Sequence, residues 1–111
     1  MSTEMLDKLL AGAAYRIFHE ELRKHLEATS TFFIHPESWS QDDLKGASAR
    51  YHTIRGGAGF FQLTAIVEYS RLLETKLLSS PPEILINQVG QLREIDSKLR
   101  EAAIAAPQPK A

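Results

Sequence analysis

At 111 residues the chain has room for one core and no more, and its 43% apolar and 24% charged residues suit an ordinary globular domain rather than a disordered one. A formal charge of −1, with lysines and arginines dispersed among acids, offers no broad attraction to nucleic acid or an acidic membrane. The absence of cysteine excludes a disulfide framework and a thiolate metal site; no apolar run approaches the roughly 18 residues that span a bilayer, and the start MSTEMLDKLL does not read as a signal peptide, so a cytoplasmic location is expected.

Residues 4–28 place Leu6, Leu10, Ala13 and Ile17, then Phe18, Leu22 and Leu26, at helical spacing with a drift between the two sets. That pattern predicts a short helix, a bend near Gly12 and a longer second helix. The stretch TSTFFIHPESWS (29–40) has β-branched and aromatic residues, an X-Pro pair and no helical period. It reads as a connecting loop with room for one brief extended segment, packed onto the domain by Phe32, Phe33 and Trp39. Ser40, followed by Gln41, Asp42 and Asp43, is a capping serine with acids at the positive end of a helix dipole. From there Leu44, Ala47, Tyr51, Ile54, Ala58 and Phe61 form the buried stripe of a third helix.

After a break near Phe61–Leu63 the pattern resumes with Leu63, Ile66, Val67, Ser70, Leu73 and Leu77 as a fourth helix. Ser80-Pro81-Pro82-Glu83 then reads as a capping box with proline in the first turn. It opens a final helix whose Leu85, Val89, Leu92, Ile95 and Leu99 face one way. Beyond Ile104 the sequence AAPQPKA loses its period, which suggests a domain over residues 1–104 and the start of a linker over 105–111. With no strand pattern and no repeat, the expected fold is all-α: an antiparallel four-helix bundle with a short additional N-terminal helix.

The third helix contains YHTIRGGAGFF (51–61), and its three glycines forfeit about 3 kcal/mol of helix propensity. At 100° per residue with Leu44 at zero, the buried stripe centres at about −50° and His52 falls at about +80°, away from the core. Tyr51, Phe60 and Phe61 are assigned to core or rim packing. Ser48, Gly56 and Gly59 share the histidine's side, so small residues clear the ridge around an exposed imidazole and another protein can approach it. Arg55, one turn on, can pair with an anion carried by that ring.

In the fourth helix Glu74 lies on the side that faces the bundle and needs a partner. In an antiparallel hairpin turning near Leu63, residues whose numbers add to about 126 stand level, which sets Glu74 opposite His52. A carboxylate accepting from Nδ1–H would fix the tautomer with Nε2 free and stabilise positive charge on the ring as Nε2 attacks. His19, Glu20 and His25 do not make a zinc motif, since histidines six apart point about 240° apart on a helix. No metal site is expected.

The segment HTIRGGAGFFQL (52–63), followed by LLE (72–74), resembles the histidine phosphotransfer (HPt) domain, most closely the N-terminal phosphotransfer domain of CheA-like chemotaxis histidine kinases. Those domains carry a histidine, a basic residue three positions on, GGAG, and a glutamate 22 positions after the histidine. The resemblance implies that His52 is phosphorylated, that Arg55 supports the phosphoryl group, that Glu74 orients the imidazole and that Gly56 gives clearance. This sequence departs in having Arg55 for the usual lysine, Gln62 where a glycine commonly makes the turn, and Arg71 where some chemotaxis kinases have histidine.

The implied function is that of a phosphorelay carrier in two-component signal transduction. His52 would take a phosphoryl group from a histidine kinase catalytic domain, or from a receiver aspartate, and pass it to a response-regulator aspartate. The chain has no Gly-rich ATP loop and no metal-holding acid cluster, so no intrinsic cofactor is expected and Mg-ATP would belong to the donor, in the same polypeptide or another. A helical adaptor that binds a kinase or receiver domain without being phosphorylated is the alternative.

Overall fold

The computed structural model describes residues 3–109, and every regular element among them is helical. In chain order these are α1 (Thr3–Ala11), α2 (Ala13–Ala28), a 3-10 turn at Pro36–Ser38, α3 (Gln41–Phe60), α4 (Thr64–Ser79), the single turn α5 (Pro82–Leu85), a second 3-10 turn at Ile86–Gln88, and α6 (Val89–Ala105). Helices α2, α3, α4 and α6 make the expected antiparallel bundle, with α1 as the additional N-terminal helix.

Contacts between distant residues fix the directions. Phe18 lies against Gly57 and His25 beside Arg50, so α2 and α3 run oppositely. Arg100 reaches the Leu26 carbonyl while Tyr15 reaches that of Pro107, so α2 and α6 do as well. Gly59 meets Val67 and His52 meets Glu74, closing α3 on α4. The α3–α4 edge of the bundle is therefore opposite the α2–α6 edge.

The stripe of α3 is buried throughout: Leu44, Ala47, Tyr51, Ile54 and Ala58 point inward, with Phe61 following at the cap. The inward residues of α2 are Tyr15, Phe18 and Leu22, whereas Ala13 and Ile17, assigned to its stripe from sequence, face solvent. The break at Gly12 resets the helical phase, so a stripe carried across it from Leu6 and Leu10 points the wrong way in α2. Phe60, also assigned to packing, is 69% exposed because it follows Gly59 on the outer side of α3.

The helix boundaries have local causes. Ser40 Oγ accepts from the Asp43 N–H at 3.1 Å and the Asp43 carboxylate accepts from the Ser40 N–H at 2.8 Å, a reciprocal cap. No such cap forms at Ser80. Pro81 precedes another proline and is pushed to an extended backbone (φ −71°, ψ 164°), so it becomes the cap itself with Pro82 as the first helical residue. Ser80 and Glu83 then lose the spacing a capping box requires, and the helix they begin is a single turn separated from α6 by Ile86–Gln88.

Residues 29–40 hold a 3-10 turn and no extended strand. Their aromatics pack as expected: Phe33 and Trp39 are buried, Phe32 stacks on Trp39 with centroids 4.9 Å apart, and the Trp39 indole donates to the Phe32 carbonyl at 2.8 Å. Arg93 of α6 clamps this loop by donating from Nε and Nη2 to the Phe33 carbonyl at 3.0 and 2.6 Å. At the other end, Ala106 is buried and Tyr15 donates to the Pro107 carbonyl, so the tail read as a linker start first packs back on α2. Its last two residues lie outside the described ones.

A buried polar network ties α2, α3 and α6 together. Tyr51 donates to Asp96 Oδ1 at 2.9 Å, Arg100 Nε donates to Oδ2 at 2.8 Å, and the rest of the guanidinium reaches the Leu26 carbonyl and Thr29 Oγ1 at 2.9 and 3.0 Å. Burial, with the Asp96 charge adding to it, pushes the Tyr51 hydroxyl well above its usual range, so it stays a donor.

The α3–α4 hairpin turns at Gln62, whose φ of 59° lies in the left-handed region. Its N–H reaches the Gly59 carbonyl at 3.2 Å and that of Leu63 reaches Ala58 at 3.0 Å, the two bonds of a Schellman cap. A side chain there costs about 1 kcal/mol. Gln62→Gly is expected to stabilise the fold by up to about that amount and Gln62→Val to destabilise it, as read by thermal denaturation.

Candidate functional site

The site is built across α3 and α4. His52 stands on the outer side of α3 with its side chain 62% exposed, while the Glu74 side chain on α4 is 18% exposed. Nδ1 of His52 is 2.6 Å from Glu74 Oε1, and Arg55 Nε donates to Oε2 of the same carboxylate at 2.8 Å. The Arg55 Nη2 group also lies 2.9 Å from Nδ1. One ring nitrogen cannot donate to Glu74 and accept from Arg55 together. The short contact to a carboxylate oxygen assigns the proton to Nδ1 and leaves the guanidinium to Glu74. The Nε2 lone pair is thereby left without a share in these bonds.

Burial pulls the Glu74 carboxyl upward. The hydrogen bonds from Arg55 and His52, reinforced by their charges, outweigh that pull and hold it below the usual carboxylate range. Glu74 therefore remains an anion at neutral pH. Arg71, which stands where some chemotaxis kinases have histidine, is paired with Glu68 of its own helix.

The residues expected to clear the ridge separate into different environments. A Cβ built at Gly56 meets nothing within 4 Å, so this position is open as expected, and one at Gly59 only touches Val67 at 4.0 Å. Ser48 does not line the open ridge. It is 3% exposed, turned against α4, with its hydroxyl donating to the Glu74 backbone carbonyl at 3.2 Å. Lying between the core stripe and His52 around α3, it falls on the flank that α4 covers. Gly57 has a packing reason of its own: a Cβ there would stand 2.6 Å from the Phe18 ring.

His19 lies near the Tyr15 ring and His25 between Arg50 and Glu21. Among the described residues no group of three or more histidines and acids could hold a metal ion. No helix there is long and apolar enough to cross a membrane.

Fold and site together place the chain among helical-bundle domains that present a histidine at their surface. It belongs to the Hpt domain family, whose model matches residues 13–103, and so has a role in the phosphorelays of two-component signalling. Comparisons with curated proteins and with solved structures returned no significant match.

Three outcomes test this geometry. Gly56→Ala is expected to stabilise the fold by about 1 kcal/mol, and Gly57→Ala to destabilise it by about 1–3 kcal/mol through overpacking against Phe18, both read by denaturant titration. Because the folded carboxyl of Glu74 titrates below its unfolded value, its contribution to stability is complete above the ordinary carboxylate range and is lost as pH falls through the depressed value. The stability difference between wild type and Glu74→Gln is therefore expected to hold at neutral pH and to shrink on acidification.

Proposed function

We propose that His52 carries the phosphoryl group of this domain. Nε2 attacks phosphorus, the Nε2–P bond forms as the bond from phosphorus to the donor oxygen breaks, and Nδ1 keeps its proton. The ring becomes an imidazolium whose charge Glu74 offsets. In the return step an aspartate oxygen of a response-regulator receiver domain attacks the same phosphorus, the Nε2–P bond breaks and its electron pair returns to the ring. The observation that carries this reading is the 2.6 Å contact of a carboxylate with Nδ1 on an otherwise exposed imidazole.

Arg55 is the phosphate partner, its guanidinium being held by Glu74 at the edge of the ring in the unphosphorylated chain. The donor is a histidine kinase catalytic domain that supplies Mg-ATP, as in the CheA-like kinases the sequence resembles. The location is cytoplasmic, where both partners work. Partners dock over the α3 face. Gly56 and Gly59 leave it low around His52, and exposed Phe60 and Leu78 stand toward opposite ends of the α3–α4 edge as apolar anchors.

Incubation with kinase catalytic domains, Mg²⁺ and radiolabelled ATP is expected to give an acid-labile, base-stable label on wild type and none on His52→Gln. A receiver domain added afterwards is expected to remove the label. Label that persists in His52→Gln would assign the phosphoryl group to another residue.

A further inference from the structure

We infer that Ser48 is a positioning residue for the His52–Glu74 pair. It lies one helical turn before His52, and its hydroxyl donates at 3.2 Å to the backbone carbonyl of Glu74, so the residue that supplies the carboxylate is held by its main chain to the helix that supplies the imidazole. The contact is buried, Ser48 being 3% exposed.

Two features make this bond a constraint on the site rather than a general tie. An in-helix carbonyl has a second lone pair free after its helical bond, so Ser48 can bind Glu74 without loosening α4. The side chain is also small enough for close approach of the helices, matched on α4 by fully buried Ser70, whose hydroxyl is spent inside its own helix on the Ile66 and Val67 carbonyls. The carboxylate has to meet Nδ1 and Arg55 Nε together, at 2.6 and 2.8 Å. A helix has a rise of about 1.5 Å per residue, so an axial slip of even that size would break both bonds. Ser48 opposes that slip at the level of Glu74 itself.

The proposal rests on His52 as the phosphoryl acceptor, and its test separates the two. The Glu74 side-chain carboxyl is titrated by ¹³C NMR in wild type, Ser48→Ala and Ser70→Ala, and phosphohistidine formation is timed with phosphoramidate, whose P–N bond breaks with loss of ammonia as Nε2–P forms. Ser70→Ala removes a buried serine hydroxyl of α4 that bonds the Ile66 and Val67 carbonyls and not Glu74. Ser48→Ala is expected to move the Glu74 titration upward toward the ordinary carboxylate range and to slow phosphorylation several-fold, with Ser70→Ala doing neither. A Glu74 titration unchanged by Ser48→Ala, or moved as far by Ser70→Ala, would overturn the assignment. If wild type takes no phosphoryl group from phosphoramidate, the acceptor reading fails, while the titration still decides the role of Ser48.

Discussion

One carboxylate is shared between two helices' worth of chemistry. Glu74 gives one oxygen to His52 and the other to Arg55, and both donors come from α3, so the site exists only while α3 and α4 keep their rotation and register. A hydrogen bond to a charged group contributes about 1.5–3 kcal/mol when sheltered, and less here because the imidazole is open to water. That is too little to hold two helices in place by itself. The bundle must impose the geometry, and the pair then uses it.

The bundle does so from three sides. The Schellman cap at Gln62 closes the α3–α4 hairpin and sets which residues stand level. Buried Tyr51, next to His52 in sequence, is bonded to Asp96 of α6, and this fixes how far α3 can rotate about its axis. Phe18 packs into the space Gly57 leaves, bringing α2 against the far side of the same helix. The glycine run that costs helix propensity is thus divided in purpose: Gly57 admits a neighbour from within, and Gly56 leaves the outer ridge open.

Much of this was legible in the sequence because it depends on periodicity and spacing. The stripe of α3, the outward direction of His52 and the meeting with Glu74 all follow from 100° per residue and a hairpin pivot. What escaped had other causes. The phase of α2 could not be carried across Gly12, because a break erases the angular reference. Ser80 looked like a cap until the consecutive prolines moved the helix start by one residue. Asp96 and Arg100 gave no signal, since an ion pair within one helix completes its bonds with a tyrosine hydroxyl, one carbonyl and a threonine hydroxyl far off in sequence. Ser48 was placed at the correct angle, but an angle does not say where the covering helix ends.

The site turns on the tautomer of His52: Nδ1–H bonded to Glu74, with the Nε2 lone pair left free. The most direct measurement is a long-range ¹H–¹⁵N NMR spectrum of the His52 ring at a pH where the imidazole is neutral. Wild type is expected to show a protonated Nδ1 and an unprotonated Nε2, with that preference lost in Glu74→Gln. A wild-type ring protonated at Nε2, or a tautomer indifferent to Glu74, would contradict this assignment.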